Sequence, residues 1–148
     1  MTPLRPILLV EDSPKDVELV LAALKRNKFA NEVVVARDGA EALDYLNRRG
    51  KFDAHPDPLP IVMLLDLKMP KVDGLEVLRQ VKGDERLRMV PVVMLTSSRE
   101  EADLIRSYEL GVNAYVVKPV VFQEFVDAIK LTGNFWAVVN EPPPHAGA

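Results

Sequence analysis

The sequence predicts an α/β fold, a doubly wound five-stranded parallel sheet with five helices, on three observations. The short apolar runs Ile7–Val10, Ile61–Leu65, Val92–Leu95 and Tyr115–Val117 are near-continuous rather than alternating, the pattern of strands buried on both faces of a helix-covered parallel sheet. Strand-like and helix-like segments alternate along the chain with no internal linker, and right-handed crossovers turn such alternation into one layered sheet. Each of the four runs also ends on a different polar group: Glu11-Asp12, Asp66, Thr96 and Lys118. Parallel strands bring their carboxyl ends to one edge, where open α/β sheets bind ligands.

The elements follow in order. After the first strand, Ser13-Pro14-Lys15-Asp16 supplies an N-cap, a proline at the first helical position and an acid two residues later, and Val17, Val20, Leu21 and Leu24 repeat at helical spacing. Val33–Ala36 reads as a second strand. Asp38 with Glu41 forms the next capping signal, and Ala42, Leu43 and Leu46 carry one helix face up to Gly50. Lys51–Pro60 holds Pro56, Pro58 and Pro60 and reads as a loop. The third strand ends at Asp66, and Asp73 with Glu76 opens a helix marked by Leu75, Leu78 and Val81. The fourth strand ends at Thr96. Ser98 with Glu101 caps a helix bearing Ala102, Ile105 and Tyr108, which Gly111 ends in the left-handed conformation. A fifth strand and a fifth helix follow. One domain over residues 1–141 is expected, with 142–148 as a disordered tail.

Composition narrows the function classes. A chain of 148 residues, 48% hydrophobic and 28% charged, suits one soluble globular domain, with no apolar stretch long enough to span a membrane. It has no cysteine, hence no disulfide framework and no thiolate metal site, and no secretory h-region at the N-terminus; a cytoplasmic location is the expectation. A formal net charge of −3 argues against broad nucleic-acid binding, since that rests on Lys and Arg neutralising phosphates. The expected partner is a protein.

Each polar strand end has a plain alternative. Glu11 and Asp12 could be helix-capping acids, but Ser13 already fills the cap, and two carboxylates kept ionised near Asp66 suit a divalent cation such as Mg²⁺, which takes oxygen ligands. Asp66 could be a solvated strand end. It could instead be a nucleophile that takes a phosphoryl group as an acyl phosphate. Thr96 could be a β-branched strand residue and Lys118 a solvated cation. Together, a metal, a hydroxyl and an ammonium would neutralise the equatorial oxygens of a phosphoryl group in transfer. His55 and His145 sit in proline-rich segments, too isolated for a metal site.

These motifs resemble the receiver domains of two-component response regulators: an acidic pair after the first strand, Asp66-Leu67-Lys68-Met69-Pro70-Lys71-Val72-Asp73-Gly74, Leu95-Thr96-Ser97 and Lys118-Pro119, over Pro6 to Lys130. The resemblance implies the flavodoxin-like, CheY-like strand order 2-1-3-4-5. It implies Asp66 as phosphoacceptor, Mg²⁺ bound by Asp12 and Asp66, by Glu11 through water and by the Lys68 carbonyl, phosphoryl oxygens gripped by Thr96 and Lys118, and Tyr115 as a rotameric switch. The proline-bearing insertion before the third strand and the ending Phe135–Val139 followed by prolines resemble single-domain regulators paired with bacterial and cyanobacterial phytochrome kinases. The partner so implied is a histidine kinase of phytochrome type.

The last helix carries two apolar stripes. One is Val121, Phe125, Ala128, Thr132, Phe135 and Val139; the other is Phe122, Val126, Ile129, Gly133 and Trp136. One stripe suffices to cover the sheet, so the second marks a contact with another copy of the chain, a homodimer through the last helix and the fifth-strand face, unless the aromatics fold back as a core flap. The expected function is phosphoacceptance with output through protein contacts, not enzymatic turnover. Two rivals are a phosphorelay intermediate that passes the group to a histidine phosphotransfer protein and an aspartate-nucleophile phosphatase. The phosphatase wants a second Asp two residues after the nucleophile, where this chain has Lys68.

Overall fold

The computed structural model describes residues 5–26, 31–55, 58–67, 69, 72–96 and 101–117, with Thr96, Glu101–Asp103, Ile105 and Val117 described by their backbone alone. Along the chain run β1 (Ile7–Val10), α1 (Pro14–Arg26), β2 (Val33–Ala36), α2 (Gly39–Asn47), a 3-10 turn at Gly50–Phe52, β3 (Val62–Leu65), α3 (Gly74–Gly83), β4 (Val92–Thr96), α4 (Glu101–Glu109) and β5 (Ala114–Val117). The five strands are all parallel and lie in the order β2-β1-β3-β4-β5. The expected fifth helix, Lys118-Pro119 and the tail lie outside the described residues.

The apolar runs are continuous because both faces of the sheet are covered. Leu8, Val10, Met63, Leu65, Val92 and Met94 pack with Ala42, Leu46, Val77, Leu78 and Val81 of α2 and α3, while Ile7, Leu9, Val62, Leu64, Val93 and Leu95 pack with Val17, Val20 and Leu24 of α1. Successive strand residues point to opposite faces, so only a run apolar at every position can serve both layers. β2 is an edge strand, and its valines are only half-buried.

Local signals place the helix starts. The Ser13 hydroxyl accepts from Asp16 N–H at 3.3 Å, Asp38 Oδ1 from Glu41 N–H at 2.8 Å and Asp73 Oδ1 from Glu76 N–H at 2.9 Å. Gly111, at φ 96°, ends α4 as expected. Gly111 N–H reaches Tyr108 O at 3.1 Å and Val112 N–H reaches Ser107 O at 3.0 Å, the paired bonds of a Schellman cap.

Four local expectations are corrected. α2 stops at Asn47, short of Gly50, because Arg48 itself turns left-handed at φ 54° and lets Arg49 N–H bond Asp44 O at 2.9 Å. The segment read as loop begins with a 3-10 turn, and its His55 lies flat on Tyr45, centroids 4.3 Å apart and planes 4° apart, with Nε2–H donating to Tyr45 O at 2.9 Å. In α3 the expected Leu78 and Val81 are buried and Leu75 packs half-buried on the same core, and the correction is that Gly74 and Val77 join the buried stripe, because the helix starts with its glycine pressed on the sheet edge. In α4 Ser107 is buried, while Tyr108 is 52% exposed, the helix as a whole turning its Ser107 face to the interior.

Lys82 braces the turn between α3 and β4 from within α3. Lys82 Nζ donates to Val90 O at 2.8 Å and Arg88 O at 3.1 Å, and burial lowers the pKa of its ammonium. Lys82→Met keeps the stem and removes both donors, so it should lower stability by about 1–2 kcal/mol. The check is a lower urea midpoint with an unchanged slope.

Candidate functional site

Sheet register brings the acids together. Val10 pairs with Ala36 on one side and Leu65 on the other, so the residues after β1 and β3 emerge side by side. The ladder continues one step past the strands: Glu11 N–H donates to Ala36 O and Asp66 N–H to Val10 O, each at 3.0 Å. The carboxylates of Glu11, Asp12 and Asp66 each place an oxygen within 4.8 Å of the others. Glu11 and Asp66 are 1% and 7% exposed, whereas Asp12 is open to solvent. Glu11 Oε1 accepts from Ser13 N–H at 3.2 Å, so the residue that caps α1 also orients the buried acid.

Three carboxylates this close repel one another, and a cation among them removes that cost. The donors are all oxygen, the set preferred by hard divalent ions such as Mg²⁺, Ca²⁺ or Mn²⁺ rather than by zinc or copper. The open position of Asp12 gives an ion a way in while the other two acids stay fixed by backbone. Among the described residues this is the one such cluster.

The other predicted positions follow the same edge. β3 and β4 pair Leu65 with Met94, which sets Asp66 level with Leu95 and ends β4 one residue further, at Thr96. Thr96 pairs with Val117, the last residue of β5. Tyr115 is half-buried, lies opposite Met94 in register and packs against the core cluster that holds Met94. The Lys68 carbonyl, the Thr96 hydroxyl and Lys118 lie outside what the structure describes. Sequence reasoning missed the grip of Ser13 N–H on Glu11; the Ser-Pro pair signals the cap, but nothing in it says where Glu11 points.

The loop leaving Asp66 is closed tightly. Gly74 N–H donates to Leu67 O at 2.7 Å, and a Cβ on Gly74 would stand 2.2 Å from Asp66 O. Three carboxylates, two of them buried, and a tightly held backbone frame converge at the carboxyl edge of a parallel sheet, an arrangement of oxygen donors that could hold a hard cation.

Comparison with known proteins places the chain in a family. The bacteriophytochrome response regulator AtBRR is similar at 66% identity, with 95% of this chain and 100% of that chain covered and a TM-score of 0.86. Response regulator Rcp1 of Synechocystis sp. is 40% identical over 134 residues, 90% of each chain; the structure of its Mn²⁺-bound form matches with TM-score 0.74, covering 95% of this chain and 99% of that one. The phosphorylated cyanobacterial phytochrome response regulator RcpA matches at 39% identity and TM-score 0.75, covering 89% and 93%. With the model of the response regulator receiver domain matching residues 7–130, the chain belongs to that family.

Proposed function

We propose that this receiver domain accepts a phosphoryl group on Asp66 from the phosphohistidine of a kinase, with Mg²⁺ as the metal. An oxygen of the Asp66 carboxylate attacks phosphorus, the bond from phosphorus to the histidine nitrogen breaks, and the released electron pair stays on the imidazole, which takes up a proton. Mg²⁺ would neutralise charge on the phosphoryl oxygens, held by Asp12 and Asp66 directly, by Glu11 through water and by the Lys68 carbonyl. Thr96 and Lys118 take the remaining oxygens. The observation that carries this reading is the cluster itself: Asp66, 7% exposed, with two further carboxylates within 4.8 Å at the carboxyl edge.

Engaging Thr96 would then bias Tyr115 inward and shift a pre-existing equilibrium of the α4 and β5 face. Its phosphodonor is a kinase of phytochrome type, in keeping with the relatives named for that partnership, and it works in the cytoplasm. Output passes through protein contacts, including a homodimer made by the last helix and the β5 face. Trp136→Ala with Phe135→Ala should shift sedimentation from dimer to monomer and leave Asp66 labelling intact. A wild-type monomer at micromolar concentration, with and without beryllofluoride, would rule this dimer out.

The function is tested with acetyl phosphate as a small phosphodonor. The chain should gain one hydroxylamine-labile phosphoryl group, the mark of an acyl phosphate, with Mg²⁺ and none with excess chelator. Equal labelling in both would count against the metal-assisted reading.

A further inference from the structure

The corner between β2 and α2 touches both acid-bearing loops. Its strand side is Ala36 O, which accepts from Glu11 N–H at 3.0 Å. Its helix side is Gly39, the buried first residue of α2. A Cβ there would lie 2.1 Å from Val72 O, 2.9 Å from Val72 C and 2.8 Å from Val77 Cγ2. Two of those three atoms are backbone and cannot swing aside as a side chain would. Val72 lies in the loop that leaves Asp66 and is closed by the bond from Gly74 N–H to Leu67 O. The first turn of α2 is itself fixed, by Asp38 Oδ1 on Glu41 N–H at 2.8 Å and by Ala42 N–H on Asp38 O at 3.1 Å.

We propose that Gly39 is a positioning residue for the metal and phosphoryl site: its missing side chain seats α2 directly on the Val72 carbonyl, so one rigid corner sets the loop after Asp66 relative to the backbone of Glu11. The inference rests on Asp66 as the phosphoacceptor. A side chain at 39 must push either α2 or the 66–74 loop away, and the loop carries the acid that has to meet Asp12. Plain core packing would lower thermal stability alike but would leave the metal dependence of folded protein unchanged.

The test is the Mg²⁺ concentration for half-maximal labelling by acetyl phosphate, measured well below the unfolding temperature on wild type, Gly39→Ala and Gly83→Ala. Gly83 closes α3 with nothing within 4 Å of a Cβ, and so controls for adding a methyl group to a helix. Gly39→Ala should need at least about fivefold more Mg²⁺, a coupling within the usual range for linked sites, while Gly83→Ala matches wild type. A folded Gly39→Ala with wild-type Mg²⁺ dependence overturns the inference and leaves the Asp66 reading standing; a wild type that takes no label overturns both. If Gly39→Ala fails to fold, amide exchange on wild type decides. Mg²⁺ with beryllofluoride should slow exchange at the Glu41 and Ala42 amides, and equal rates with and without them refute the coupling.

Discussion

Asp66→Asn is expected to abolish labelling by acetyl phosphate and at the same time to raise the melting temperature of the metal-free protein. An amide has nearly the shape of the carboxylate, so the backbone bond to Val10 O and the packing around this 7% exposed side chain can persist. What is lost is the nucleophilic oxygen and one of three negative charges whose oxygens lie within 4.8 Å. Relieving that repulsion is worth on the order of 1 kcal/mol even at the dielectric of bulk water, and more as the site is less solvated. With Mg²⁺ the variant's advantage shrinks: wild type gains about 1.4 kcal/mol at ten times its Kd, while the variant, short of one ligand, gains less. Melting curves with and without Mg²⁺, run beside the labelling assay, check both halves. A variant that labels like wild type, or that is less stable in chelator, contradicts the arrangement.

Gly74→Ala should be among the most damaging single methyl additions to the fold. Its Cβ would stand 2.2 Å from Asp66 O, 2.8 Å from Leu67 Cα and 3.0 Å from Asp66 C, all backbone. Relief requires α3 to lift from the sheet edge, which drags Val77, Leu78 and Val81 out of the core. The helix-propensity gain of alanine over glycine, about 1 kcal/mol in a helix interior, offsets only part of this. Net destabilisation of about 3 kcal/mol or more is expected, at the upper end for overpacking. A chemical denaturation midpoint within error of wild type would mean that the contact between Gly74 and Asp66 is looser than described.

Much of this was legible because the determinants are local. Ser13, Asp38 and Asp73 each cap the helix their sequence announces, and the continuous apolar runs place β1, β3, β4 and β5 to within a residue. The acids were legible for the same reason: parallel strands in register must deliver the residues after Val10 and Leu65 to one place. What escaped depends on tertiary context. Arg48 takes a left-handed turn that ends α2 at Asn47, where the sequence reading carried the helix face on to Gly50. Ser107 rather than Tyr108 is buried because the packing of the whole helix decides which face of α4 turns inward. His55 looks isolated in sequence, yet it stacks on Tyr45 ten positions earlier. Gly39 reads simply as the residue after a cap, and only the approach of Val72 reveals why no side chain stands there.

The central claim is that the phosphoryl group is carried on the carboxylate at the edge of β3. Reducing the labelled protein with borohydride and mapping the product by peptide mass spectrometry tests it most directly, because borohydride converts an aspartyl phosphate to homoserine and leaves phosphate esters of hydroxyl groups untouched. The account predicts homoserine at position 66, formed only after labelling in the presence of Mg²⁺. Phosphate retained on Thr96, Ser97 or Ser98 with Asp66 unchanged would contradict it.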